Sequence, residues 1–236
     1  MVHRQSPHPP RDETVELEFS LRDESCFFVT ASKRAGCELV GEKVVRRSDG
    51  NLLEFFDVRG TRPETLLDAV GSIQTAHDAR IVRERPDSTL MSFVITGSCV
   101  TTTLADSDAV LKTARAENGD ATVIADVPSY GSVRRVVETF EENHPTADLI
   151  AKRSLGASVP AIANRERTAY LLSNLTEKQL RAVEVAVRFG YLSWPRESTA
   201  AECADALDVS QPTFSQHLWT GVEKLLGTMF DGGTDV

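Results

Sequence analysis

The stretch Ser210-Gln211-Pro212-Thr213-Phe214-Ser215-Gln216-His217 gathers six hydrogen-bonding side chains within eight residues. A glutamine amide donates and accepts in a fork that matches the major-groove edge of adenine, and serine or threonine hydroxyls serve bases and phosphates alike. Such chemistry works only if the side chains stand on a rigid support. Ser210 is suited to cap a helix and Pro212 to sit in its first turn, where a missing amide costs nothing. Phe214, Leu218, Val222, Leu225 and Met229 then recur at helical spacing and predict a buried stripe from 211 to about 229. The helix start itself favours a phosphate, because its first amides have no partner within the helix.

The preceding elements must aim that helix. Thr199-Ala200-Ala201-Glu202 reads as a capping box opening a short helix with Cys203, Ala206 and Leu207 on its inner face, Cys203 packing between helices. Asp208-Val209 follows as a tight turn, Asp208 standing where glycine is common and tolerating the left-handed region. Upstream, Leu175-Thr176-Glu177-Lys178-Gln179 carries another capping box, Leu180, Val183, Ala186 and Val187 are its expected stripe, and Gly190 stops the helix. Two helices joined by so short a turn predict a helix-turn-helix, with a recognition helix over 211–226 in the major groove. Its base-reading and phosphate-contacting candidates are Ser210, Gln211, Thr213, Ser215, Gln216 and His217, with Arg196 of Trp194-Pro195-Arg196 as a wing-like phosphate contact, its loop fixed by a packed Trp194. The competing use of the same helices is contact with another protein.

Residues 175–230 resemble the helix-turn-helix domain of the archaeal bacterio-opsin activator family. The resemblance rests on Leu175-Thr176-Glu177-Lys178-Gln179, Gly190-Tyr191-Leu192, Trp194-Pro195-Arg196-Glu197-Ser198-Thr199 and the Ser210 to Leu218 run. Ser48-Asp49-Gly50, Glu54-Phe55-Phe56, Leu104-Ala105-Asp106 and Ala151-Lys152-Arg153 extend the likeness to the domain that precedes this motif in family members. The resemblance implies an archaeal transcription regulator that binds double-stranded promoter DNA. The large members' upstream PAS and GAF sensor domains have no room here, which leaves the input signal open.

From Val15 onward the pattern predicts strands over 15–21, 38–46, 52–58, 79–85, 90–96 and 121–127, with helices at 63–70 and from Val133. The strand, helix, strand segments starting at Leu52 and Ala121 look like copies with equal internal spacing, which predicts a ferredoxin-like α/β sandwich. The expected fold is therefore α+β: a disordered tail over 1–14, a sensory and dimerisation domain over 15–154, a linker over 155–163 and an all-α helix-turn-helix domain over 164–236. A homodimer follows, since one helix-turn-helix reads only a half-site.

The chain of 236 residues carries a formal charge of -9 and only six lysines. An acidic DNA binder calls for an explanation, and a halophilic cytoplasm supplies one, because molar salt screens repulsion within about 3 Å. The first residues lack the apolar run of a signal peptide, and no stretch is apolar enough to span a membrane, so the chain is expected to be cytoplasmic. Cys26, Cys37 and Cys99 suggest a redox or metal sensor with His77 or His144, but their scattered spacing favours packing as small hydrophobes, and neither metal nor cofactor is expected. Glu54, Asp57 and Asp126 alternate with apolar residues as on the wet face of a sheet. Arg134, Arg135 and the exit-strand arginines are solvated-surface residues or contacts for an effector whose identity the sequence leaves open. With no phosphate-cradling loop, nucleophile elbow or zinc-protease helix, the chain reads as no enzyme. The alternative function is a small-molecule-binding protein whose helical domain contacts another protein.

Overall fold

The computed structural model describes residues 14–97, 99–128, 132–155 and 171–231. The expected tail and linker lie, but for Thr14 and Leu155, outside these. The chain is α+β, with antiparallel strands preceding the helix-turn-helix helices. It forms two compact units, one from residues up to Val40 together with 98–158, the other from Gly41–Gly97 together with residues from 159 onward.

The first unit comprises β1 (Thr14–Leu21), α1 (Phe27–Ala35), the start of β2 (Glu38–Arg46), α3 (Val100–Asp106), β6 (Val110–Glu117), β7 (Asp120–Val127), α4 (Val133–Asn143) and β8 (Asp148–Leu155). Its strands run in the order β2-β6-β7-β1-β8. β1 lies antiparallel to both β7 and β8, which are therefore parallel to each other and split by it. Val15, Leu17, Phe19 and Leu21 alternate onto the buried face, and Phe19 packs on Phe140 of α4 at 4.3 Å between ring centroids. The opposite face carries ions, Glu16 meeting Lys112 at 2.6 Å and Arg153 at 3.1 Å. The sequence pattern passed over α1 and α3, whose Phe-Phe-Val-Thr and Val-Thr-Thr-Thr starts favour strand by local preference. Burial overrides that preference, with Phe27 to Ser32 of α1 and Val100, Thr103 and Leu104 of α3 all buried, and Gly36, at φ +59°, ends α1 in the left-handed region.

The second unit holds the rest of β2, β3 (Leu52–Arg59), α2 (Pro63–Val70), β4 (Ala76–Glu84), β5 (Thr89–Ile95), α5 (Glu177–Arg188), α6 (Ala200–Ala206) and α7 (Gln211–Asp231). Its strand order is β4-β5-β3-β2. β3 and β4 both run antiparallel to β5, so this strand, helix, strand segment is split in the same way as β7-α4-β8. One face, carrying Leu53, Phe55, Leu90 and Val94, shares a core with Ala182, Val185 and Phe189 of the α5 region and with Leu207, Phe214 and Leu218. Phe55 meets Phe189 edge to face at 5.9 Å.

β3 is buried on both faces, which corrects the solvated reading of its acids. Asp57 is 3% exposed and Glu54 5%, and Asp126, on β7 of the first unit, is likewise 5% exposed. Asp57 is held by Arg59 at 2.9 Å and Arg85 at 3.0 Å, the pairing a buried carboxylate requires. The other arginines read as solvated surface or effector contacts are likewise paired. Arg83 meets Glu197, Arg134 meets Glu138, and Arg153 meets Glu16 and Glu18.

Candidate nucleic-acid interface

Local capping builds the three helices. Thr176 accepts from the Gln179 amide while the Gln179 side chain accepts from the Thr176 amide, opening α5. Thr199 and Glu202 make the same exchange at α6. Hydrogen bonds from the Thr199 amide and hydroxyl hold the Glu202 carboxyl below its ordinary range. At the turn, Asp208 takes φ +56°, as its tolerance of that region predicts. Ser210 then caps α7, accepting from the Thr213 amide at 3.3 Å.

α5 differs from its predicted orientation. Its buried side is Gln179, Ala182, Val185 and Ala186, while Val187 is exposed. The helix approaches α7 at a glycine of α7. A Cβ on Gly221 of α7 would stand 3.0 Å from Val183 Cγ2 and 3.4 Å from the Gln179 carbonyl oxygen. Cys203 is fully buried between the helices and its thiol is pushed up by burial. Met229, predicted in the α7 stripe, is exposed.

The β2-β3 turn holds the helix-turn-helix from outside. Arg47 donates from Nη1 to the carbonyls of Ala206 at 2.6 Å and Asp205 at 3.3 Å, and the Ser48 amide donates to the Leu207 carbonyl at 3.2 Å. These are the carbonyls that end α6, where a cation is favoured. Arg80 of β4 pairs with Asp205 at 2.6 Å, and Arg83 with Glu197 at 2.6 Å.

The residues singled out from sequence divide into two groups on this scaffold. Gln211 and Gln216 are exposed, and Ser215 is half-buried beside them. Thr213 and His217 are half-buried on a flank, lining a cleft with Arg46, Lys178 and Arg181. The Ser210 and Thr213 hydroxyls bond each other at 2.7 Å, so both serve the cap. Arg196 is exposed, its guanidinium stacked 4.5 Å over the Tyr191 ring. The packed aromatic under that loop is Tyr191, not Trp194, which is 94% exposed. Reading the sequence missed Trp219, which continues the exposed stripe one turn beyond Ser215 and was visible from helical spacing. It also missed Arg46, more than 160 residues from α7 in the chain, for which no local signal exists.

Residues 12–166 match the family described as BAT, the GAF and HTH_10 associated domain, and residues 175–227 match the HTH_10 family, described as an HTH DNA binding domain. The chain belongs to the BAT family. This BAT-family chain is 31% identical over 223 residues to a putative transcriptional regulator of Haloferax volcanii, a match covering 93% of the chain and 37% of that protein. It is 24% identical over 221 residues to the bacterioopsin transcriptional activator of Halobacterium salinarum, covering 93% of the chain and 32% of the relative. A third relative, the transcriptional regulator NarO of Haloferax volcanii, is 37% identical over 84 residues, 36% of this chain and 40% of that protein. The chain thus spans about a third of the length of the first two relatives. Among the described residues no helix is long and apolar enough to cross a membrane.

Proposed function

We propose that this BAT-family chain is a sequence-specific DNA-binding transcription regulator, with the N-terminal half of α7 in the major groove. The observation that carries the proposal is the stripe of exposed Gln211 and Gln216 with half-buried Ser215 on a capped helix that follows α6 through the four residues Leu207 to Ser210. Gln211 and Gln216 are read as base contacts, and Ser210, Ser215 and Arg196 as phosphate or base contacts. Thr213 and His217, beside Arg46, Lys178 and Arg181, are read as a flank that meets a phosphate. Specific binding to a fragment of a target promoter, measured by fluorescence anisotropy, should weaken in Gln211→Ala/Gln216→Ala by about 1–3 kcal/mol per lost base contact, with unfolding unchanged. Unchanged affinity in the folded double variant refutes the assignment.

The further parts of the proposal concern residues 15–154, read as a dimerising and sensory domain responding to an effector, joined through residues 155–163 to a DNA-reading domain over 164–236. A ferredoxin-like sandwich interrupted by an insertion is supported by the order β6-β7-β1-β8 and by the split β7-α4-β8 segment. A regulator without catalysis, working in a salt-rich cytoplasm as a homodimer, is the corresponding cellular reading. A second reading, contact of the helices with another protein, is favoured by the exposure of Trp194, Trp219, Leu226 and Met229.

A further inference from the structure

Asp23, Cys26 and His144 stand 118 and more residues apart between the first two and the third, yet converge in the first unit. His144 Nδ1 lies 3.4 Å from Cys26 Sγ and 3.3 Å from Asp23 Oδ2, and the three ligating atoms all fall within 4.8 Å of one another. Cys26 and His144 are each 3% exposed, and the Asp23 side chain is 13% exposed. Tetrahedral zinc with bonds of about 2.0–2.3 Å to nitrogen, oxygen and sulfur implies ligand-to-ligand edges of about 3.3–3.6 Å. Both distances from Nδ1 fall in that range.

The surroundings orient each atom toward a common point. His144 Nε2 is 3.3 Å from Thr103 Oγ1, whose own hydroxyl donates to the Cys99 carbonyl at 3.2 Å. With its proton on that carbonyl, Thr103 Oγ1 is placed to accept from His144 in the tautomer that carries its proton on Nε2. In the tautomer with its proton on Nε2, the Nδ1 lone pair faces Asp23 Oδ2 and Cys26 Sγ, and a cation bound between them satisfies all three atoms. Asp23 is fixed as well, since its Oδ1 accepts from the Ser25 amide at 2.9 Å, leaving Oδ2 for the site. Cys26 is the N-cap residue of the nine-residue α1, where the helix dipole favours a thiolate.

We propose that Asp23, Cys26 and His144 form a binding site for a divalent transition metal of the zinc class, with a fourth position left to solvent. Binding replaces the Cys26 thiol proton by the metal, giving a thiolate–metal bond and one released proton. Thr103 supports the histidine as an outer partner, the arrangement that fixes ring orientation in metal sites. The ion ties the start of α1 to the residue that ends α4, His144 being the C-cap of α4.

The test uses the full chain, stripped with chelator and titrated with Co²⁺. One equivalent is expected to produce near-ultraviolet thiolate-to-cobalt charge transfer and visible bands of four-coordinate cobalt, and Zn²⁺ should displace it and raise the Tm. His3 and His8 can bind metal but cannot produce the thiolate band. Cys26→Ser and His144→Gln should abolish the band, Cys37→Ser should keep it, and Thr103→Val should weaken affinity about 10- to 100-fold. If Cys26→Ser does not fold, Asp23→Asn serves in its place and should weaken Co²⁺ binding at least as much as Thr103→Val. Absence of a thiolate band from the folded parent chain overturns the proposal, as does a band that persists at full affinity in folded Cys26→Ser or Asp23→Asn. In either case the trio is a hydrogen-bonded packing cluster.

Discussion

Replacing Arg47 by methionine keeps the aliphatic stem and removes the head that ends α6. The guanidinium is 8% exposed and makes charge-assisted bonds to the Ala206 and Asp205 carbonyls and to Asp49 Oδ2 at 3.0 Å. A hydrogen bond to a charged group contributes about 1.5–3 kcal/mol, and a cation at a helix C-terminus adds about 0.3–1 kcal/mol. The Asp49 bond is partly open to water and adds little. With the Ala206 bond dominating, the loss comes to about 2–4 kcal/mol, which lowers the Tm of a chain this size by roughly 5–15 °C. Arg47→Lys retains the charge but cannot meet the two carbonyls and Asp49 at once as Nη1 and Nε do, and should fall between parent and Arg47→Met. Unfolding by urea, followed by circular dichroism, measures the loss. Promoter affinity, measured well below the lowered Tm, should also fall, because Asp205 to Asp208 set the angle at which α7 leaves α6. Arg47→Met within about 0.5 kcal/mol of the parent would show that α6 ends without help from the β2-β3 turn, and the reasoning would fail.

Gly190→Ala should destabilise by about 2 kcal/mol or more by urea denaturation, since the residue has φ +66° and an added Cβ would stand 2.8 Å from Glu197 Cβ; a loss under half a kcal/mol would count against the strain. The Glu202 carboxyl is held below its ordinary value of 4.5 by the Thr199 amide and hydroxyl, so its contribution is complete above that value and lost as pH falls through the lowered one. Glu202→Gln keeps a capping acceptor and should match the parent at neutral pH while flattening the decline of stability below about pH 4.5; an identical decline in both proteins refutes this. From Asn164 onward seven cations face ten anions, so specific promoter affinity should hold steady or rise between dilute and molar KCl, as carboxylates near phosphates take up cations. A steep fall with salt, from protein folded throughout, would remove the halophilic explanation.

The helix-turn-helix was legible because its signals are local. Thr176 with Gln179, Thr199 with Glu202, Ser210 before Pro212, and Asp208 at the turn all act within four residues, and each sits where those pairings require. What local pattern could not supply is the identity of the partner surface. α5 packs against both α7 and the β3-β5 face, so the side that is buried is the one with small residues, Ala182 and Ala186, rather than the one with the most hydrophobic residues. Trp194 invites a core reading by size alone. Its exposure follows because Tyr191, three residues earlier, already fills the space against Phe214 at 5.9 Å.

The same distinction explains why the charged residues were harder to read than the apolar ones. Alternation along β3 assigns Asp57 to the face of Leu53 and Phe55, the one that packs against the helices, since Asp57 pairs with Leu90 and Phe55 with Ser92 across the ladder. A carboxylate there requires cations, and they come from Arg59, two residues on, and from Arg85, beyond the end of β4. Arg47 likewise reads as a loop arginine until Asp205 and Ala206, 158 and 159 residues later, arrive with carbonyls to accept from it. Deleting residues 41–97 would therefore remove both the apolar face under α5 and the cation at the end of α6. A helix-turn-helix fragment over 164–236 would keep its capping boxes but expose Phe189, Leu207 and their neighbours to water. The position of α7 is thus set from two directions: by caps written into the helices themselves, and by a strand face that the chain completes long before the helices begin.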